Sequence, residues 1–149
     1  MATALVRTPC IDPRFACFKL SIRESRIHRR GVWAEEPIPA RRKVIEYTGE
    51  RISRREIRRR AEGALTYLFE LNHYWAIDGA VGGSGAEIIN HSCAPNLYTS
   101  KPKGHIIYMS KRVILPGEEL TVDYRFSDRT AIVPCRCGAS NCRGTINVK

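Results

Sequence analysis

No stretch of this sequence comes near the roughly 18 consecutive apolar residues that a membrane-spanning helix requires. The opening segment, MATALVRTPCIDPRF, does not read as a secretory signal, because its apolar stretch is short and is succeeded at once by Arg7 and then by Asp12. The expectation is a soluble, intracellular protein without membrane contact. Internal repeats and low-complexity tracts are also missing, and nothing suggests a long linker. The 149 residues, 43% of them apolar, are therefore expected to form one domain around one modest core. At this size roughly two thirds of the unfolded surface is buried, so a staple such as a metal would add useful stability. Acidic residues are in deficit: 15 Asp and Glu stand against 25 Lys and Arg, for a net charge of +10. Such an excess keeps an uneven surface soluble, or it attracts nucleic acid and acidic partners; charge alone carries no chemistry.

Cysteine, by contrast, is plentiful. Cys10, Cys17 and Cys93 are scattered, while Cys135, Cys137 and Cys142 fall together in CRCGASNC. In an intracellular chain such a cluster points to metal binding or free thiols before disulfides. Two cysteines one residue apart do not easily bridge each other. The cluster reads as three ligands of a tetrahedral zinc site, with the fourth drawn from Cys93, Cys10, Cys17 or a histidine.

The chain is punctuated by Gly and Pro into many short segments. Pro9 and Pro13 make the stretch up to about Phe15 an irregular arm. Strands are expected over Ala16–Glu24, Gly31–Ala34, Lys43–Tyr47, Tyr67–Leu71 and Tyr74–Ile77. Ser53–Ala61 is the best helix, capped by Ser53 with Glu56 three places on, as in a capping box. Its sequence, SRREIRRRA, has almost no apolar face and reads as a solvated helix. HIIYMSKRVIL, His105–Leu115, is the strongest strand signal; Pro116-Gly117 should turn the chain and return Leu120–Tyr124 as its partner. The sum is a mostly β domain with one short helix.

Two further segments stand out, Asn90-His91-Ser92-Cys93-Ala94-Pro95-Asn96 and Gly117-Glu118-Glu119-Leu120-Thr121-Val122-Asp123-Tyr124. With the others they carry a resemblance, from about Ala16 to Ile146, to the SET-domain family of protein lysine methyltransferases. IHRRGVWAEEPI resembles the family's cofactor-binding Gly-x-Gly region and EYTGE its early Tyr-x-Gly motif. AEIINHSCAPN resembles its Asn-His-Ser-Cys signature, GEELTVDY its closing Asp-Tyr motif, and CRCGASNCRGTI its post-SET zinc tail. The segments occur in the family's order.

The resemblance implies a SET-type (β-clip) fold of several small sheets with a C-terminal segment threaded beneath a preceding loop. It divides the chain into an arm (1–15), a SET domain (16–127) and a post-SET tail (128–149). It implies methyl transfer from S-adenosylmethionine to a lysine of a basic protein, with Tyr124 as the catalytic residue and Tyr47 lining the same channel. Cofactor contacts would come from His28, Arg30, Gly31, Tyr67, Asn90, His91 and Arg136. Cys93 would join Cys135, Cys137 and Cys142 around a structural Zn2+. The reaction is a direct displacement that needs a neutral amine, although free lysine has a pKa near 10.4; a dry channel lowers that value by penalising the ammonium. Two departures from the family pattern concern the site. Arg29 stands where the family has its first glycine, which would cost strain if the backbone there needs positive φ. Glu87 stands where an arginine is usual. A Phe or Tyr near the family's closing Asp-Tyr often tunes the degree of methylation; the residue two before Tyr124 here is Val122, so no degree is implied. Competing readings are a basic, zinc-stabilised nucleic-acid-binding module and an inactive binder of lysine tails. An enzyme that sits on nucleic acid and modifies histones, histone-like or ribosomal proteins there would combine two of these.

Overall fold

The computed structural model describes residues 8–61, 67–126 and 131–148. The first seven residues of the expected arm and the expected boundary at 127/128 lie outside these. The described part of the arm is irregular but docked. The Asp12 N–H donates to the Ser84 carbonyl (2.8 Å), the Phe15 carbonyl accepts from Glu46 N–H (3.0 Å), and Ile11 packs against the core.

Strands β1 (Leu20–Glu24) and β2 (Arg30–Ala34) form an antiparallel hairpin closed by the loop at residues 25–29. The expected strand over Ala16–Glu24 is regular only from Leu20; before it, Ala16 makes a lone bridge to Ile45. There follow β3 (Lys43–Tyr47), β4 (Glu50–Ser53), α1 (Arg54–Arg60), β5 (Leu68–Glu70) and β6 (Trp75–Asp78). A 3-10 turn at Ala86–Ile88 leads into the two-residue β7 (Asn90–His91), then β8 (Leu97–Ser100), β9 (Ile106–Ser110) and β10 (Glu119–Val122). These strands make three small sheets, ordered β1-β2-β10-β7, β3-β9-β8 and β4-β6-β5. The mostly β architecture matches the expectation from the sequence. Among the described residues no helix is long and apolar enough to cross a membrane.

One expected pairing is corrected. His105–Leu115 is not one strand with Leu120–Tyr124 beside it. β9 ends at Ser110, Ile114 makes a single bridge to Ile38, and β10 enters another sheet, antiparallel to β2 and parallel to β7. The reason is that β9 is a central strand: β3 occupies one edge and β8 the other, so no backbone donors or acceptors remain for β10. Ser110 marks the exit, donating its hydroxyl to the Pro39 carbonyl (2.6 Å).

Ser53 caps α1, its hydroxyl accepting from Glu56 N–H, but the reciprocal half of the box is not formed. The Glu56 carboxylate instead takes Arg59 and Arg60. No residue of α1 is buried, yet Arg60 is not a solvated arginine; it reaches across the sheet to Glu50 and to the buried Asp78.

The core is continuous across the first two sheets. Val32 and Ala34 of β2, Val44 and Ile45 of β3, Ile38, Ile114 and Leu120 of β10 expose no surface. Buried Asn96 completes β10: its side-chain N–H2 donates to the Glu119 carbonyl and its Oδ1 accepts from Thr121 N–H, both at 2.9 Å. Replacing it strands both backbone groups away from water. Asn96→Ala should lower the unfolding free energy by about 2–4 kcal/mol, read from urea titration; a loss under about 0.5 kcal/mol would mean that β10 does not depend on this side chain.

Candidate functional site

The pairing of β10 with β7 sets Thr121 opposite Asn90 and Val122 opposite His91, and so delivers Tyr124 to the Asn-His segment. His91 is the joint. It is 3% exposed, and its Nδ1 accepts from the backbone N–H of Tyr124 at 3.0 Å. That bond fixes the neutral tautomer with its proton on Nε2, which lies 3.5 Å from Cys93 Sγ. Burial holds the imidazole pKa below its ordinary value, against the pull of Asp123.

The Tyr124 hydroxyl donates to the Ile89 carbonyl at 2.5 Å, and its ring packs 5.4 Å from His91 and 5.5 Å from Phe126. Burial, followed by the charges of Tyr67 and Glu119, pushes its pKa well above the usual phenol range. Tyr47 is also buried, and its hydroxyl donates to the Tyr67 carbonyl. Burial, then Glu87 and Tyr124, raises its pKa in the same direction. The site therefore holds two phenols that stay protonated at any physiological pH. They orient and accept hydrogen bonds and are unsuited to act as strong bases.

Asn90 gathers the expected cofactor segment. Its side-chain amide donates to the carbonyls of His28 (3.2 Å) and Arg30 (2.9 Å) and to Glu119 Oε1 (3.0 Å). The side chains of His28 and Arg30 are exposed beside it. A Cβ at Gly31 would stand 2.1 Å from Glu119 Oε1, so any side chain there displaces that carboxylate from its bonds to Asn90 and Ser25. Glu119 also accepts from the Ser25 hydroxyl (2.7 Å), and Ser25 Oγ accepts from Ile27 N–H (3.0 Å), so one carboxylate ties down the β1–β2 loop. Sequence reasoning missed Glu119. No local signal points to it, because its role depends on the unforeseen pairing of β10 with β2. Tyr67 is half-buried and brought in through its backbone carbonyl. Arg136 is exposed on the tail, and no hydrogen bond among the described residues joins it to the Asn90 group.

The departures from the family pattern are visible in the geometry. Arg29 has φ +42°, the left-handed conformation that glycine adopts without strain. Glu87 is partly buried and accepts from Gly85 N–H (2.9 Å); burial raises its carboxyl pKa. A Cβ on Gly79 would lie 2.7 Å from Glu87 Cβ and 2.9 Å from the Tyr47 hydroxyl, so glycine lets the two side chains share that corner.

Behind His91 the four sulfurs of Cys93, Cys135, Cys137 and Cys142 lie within 4.8 Å of one another. The Cys93 and Cys135 sulfurs are 3.8 Å apart, the edge of a tetrahedron with Zn–S bonds of about 2.3 Å. Backbone N–H groups point at the sulfurs: Cys93 to Cys137, Arg143 to Cys93 and Gly144 to Cys142, at 3.4–3.5 Å. These donors suit thiolates that share their charge with a cation. Cys10 and Cys17 are exposed and stand apart. Arg143 also grips Asp123 through two bonds (2.9 and 3.1 Å), which ties the tail to the residue beside Tyr124.

The SET domain family model matches residues 29–125. The histone-lysine N-methyltransferase SETD1B of Xenopus tropicalis is 42% identical over 144 residues, covering 90% of this chain and 7% of that protein. The histone-lysine N-methyltransferase TRX1 of Oryza sativa subsp. japonica is 41% identical over 140 residues, covering 87% of this chain and 14% of that protein. The crystal structure of KRYPTONITE in complex with mCHG DNA and SAH superposes with a TM-score of 0.75 and 28% identity, over 88% of this chain and 29% of that one. The chain thus spans a small part of the relatives it matches.

Two measurements test this geometry. Atomic emission should find about one zinc per chain, a strong chelator should remove it and disorder the tail, and Cys137→Ser should fail to retain it; full folding and activity without metal would contradict the site. Arg29→Gly relieves about 1–2 kcal/mol of left-handed strain and adds about 0.4–1 kcal/mol of unfolded-state entropy. Urea titration should therefore find it equal to or up to about 1.6 kcal/mol more stable than the parent chain.

Proposed function

The chain belongs to the SET-domain family, matched over residues 29–125, and from this premise we propose that it transfers a methyl group from S-adenosylmethionine to the side-chain amine of a lysine in a basic protein. The observation that carries the reading is the meeting of Tyr124 with Asn90 and His91, through the Tyr124 N–H on His91 Nδ1 and its hydroxyl on the Ile89 carbonyl. The reading implies a soluble, intracellular protein. It divides the chain into an arm at 1–15, a SET domain at 16–127 and a post-SET tail at 128–149.

S-adenosylmethionine supplies an electrophilic methyl on a sulfonium. Its carboxylate, ammonium and adenine call for mixed donors and acceptors, and His28, Arg30, Gly31, Tyr67, Asn90, His91 and Arg136 offer cationic, amide and main-chain groups for them. Asn90 and Glu119 hold the 25–31 segment in shape for that purpose. Zinc on Cys93, Cys135, Cys137 and Cys142 acts as a structural tie between the tail and the Asn-His segment.

Tyr124 positions the amine. Its proton is committed to the Ile89 carbonyl, which leaves the phenol oxygen free to accept from the lysine N–H. Tyr47 lines the same space, anchored on Tyr67. Alignment in a near-attack geometry removes up to about 7–11 kcal/mol of barrier. Because both phenols keep their protons, the lysine's proton leaves through water, and burial beside these two phenols lowers the lysine pKa by penalising its ammonium form. The +10 charge supports meeting this substrate on nucleic acid, as histones, histone-like and ribosomal proteins are met.

Tyr124→Phe should retain cofactor binding by calorimetry and lose nearly all turnover of labelled methyl into basic proteins. Robust turnover in that variant would overturn the assignment. In the parent chain kcat/KM should climb with pH as the substrate ammonium gives way to the amine. No fall should come from Tyr124, whose ionisation lies far above the range tested.

A further inference from the structure

The arginines of α1 are not equivalent. Arg59 and Arg60 close on Glu56, and Arg60 also reaches Glu50 and Asp78. Arg54 is spent on the β5–β6 turn, its Nη1 lying 2.8 Å from His73 Nδ1 and donating to the His73 carbonyl at 3.0 Å. Arg55 and Arg58 are exposed and have no acidic partner among the described residues.

Arg54, Ile57 and Arg58 of α1, with Glu70, Asn72 and His73 of the β5–β6 hairpin, line a cleft of about 540 Å³. None of them belongs to the Tyr124 site. Glu70 is the one carboxylate among the six, against two guanidiniums and an imidazole. Next to His73 stands Tyr74, 68% exposed, its ring edge-on to that imidazole with centroids 5.1 Å apart. Hydrogen bonds brace the hairpin against the start of α1. The Asn72 Oδ1 accepts from Tyr74 N–H (2.8 Å) and Trp75 N–H (3.0 Å), and Arg54 N–H donates to the Tyr74 carbonyl (3.0 Å). The cleft thus brings Arg58, without an acidic partner among the described residues, to the hairpin that presents the exposed Tyr74 ring.

We propose that this α1–hairpin face binds single-stranded nucleic acid, with phosphates on Arg55 and Arg58 and a base stacked on Tyr74. Guanidinium forks match phosphate oxygens in charge and geometry. Strand-binding proteins pair such a basic track with aromatic platforms, because every base has a π-face. An acidic peptide would satisfy the arginines and leave the tyrosine ring uncovered. The surface is independent of methyl transfer, so it stands or falls separately from that reaction.

The test is fluorescence anisotropy of labelled 12-nucleotide DNA and RNA strands on the full chain, between 50 and 200 mM salt. Arg55→Ala with Arg58→Ala should weaken binding about tenfold and flatten the slope of log K against log salt by about 1.4, the value for two phosphate contacts on a single strand. Tyr74→Ala should weaken binding about fivefold or more with the slope unchanged. The charge-matched pair Arg41→Ala with Lys111→Ala, on another face, should stay within about twofold of the parent. Equal losses from both pairs, no effect of Tyr74→Ala, a duplex bound as tightly as the strand, or displacement by polyglutamate as readily as by the strand would each overturn the proposal.

Discussion

The rest of the molecule depends on a two-residue parallel pairing. Thr121-Val122 lies alongside Asn90-His91, and this contact alone puts an aromatic hydroxyl from one end of the chain against an amide and an imidazole from its middle. Such a short pairing is weak by itself, and the surroundings reinforce it from every side. Asn96 supplies β10 with a donor and an acceptor, Leu120 is fully buried in the core, and His91 takes the Tyr124 N–H. On the far side Arg143 holds Asp123, and the tail's cysteines gather on Cys93, two residues beyond His91. The strand is locked by side chains where a longer ladder would otherwise be needed.

The electrostatics of the site follow from burial more than from any single charge. Both central phenols are pushed toward their neutral forms, the imidazole is held neutral, and the Glu87 carboxyl is pushed in the same direction. Surroundings that disfavour the charged forms of these four groups suit the proposed reaction, whose nucleophile must shed its charge first. Glu119 is the counterweight. It is spent on structure, tethering Ser25 and Asn90, and it fills the space where a side chain at position 31 would otherwise sit.

Local chemistry was legible from the residues; long-range arrangement was not. Ser53 caps the helix where the pattern put it, and the clustered thiols meet Cys93 as the family resemblance implied. The short strands at Lys43–Tyr47 and in the 67–77 region also lie close to their expected places. What escaped is the partition into sheets. The apolar run His105–Leu115 advertises a strand but says nothing of which edges are already taken, and β7 is too short to show any periodicity. Glu119 was invisible for the same reason, since its partners come from a sheet that periodicity does not reveal. Arg29 shows the reverse: a glycine position read from resemblance is left-handed backbone in the structure, occupied here by a residue that tolerates it at a cost.

The placement of β10 between β2 and β7 has a consequence for biosynthesis. Hairpin β1–β2 and the β3-β9-β8 and β4-β6-β5 sheets draw on segments that leave the ribosome before β10, and the slot they frame is filled only afterwards. Contacts of such long sequence separation form slowly, and a nascent chain waiting for them exposes an unpaired edge of β2. A nascent chain halted before residue 119 therefore keeps that edge open, and Tyr124 meets Asn90 and His91 only once β10 has emerged and paired.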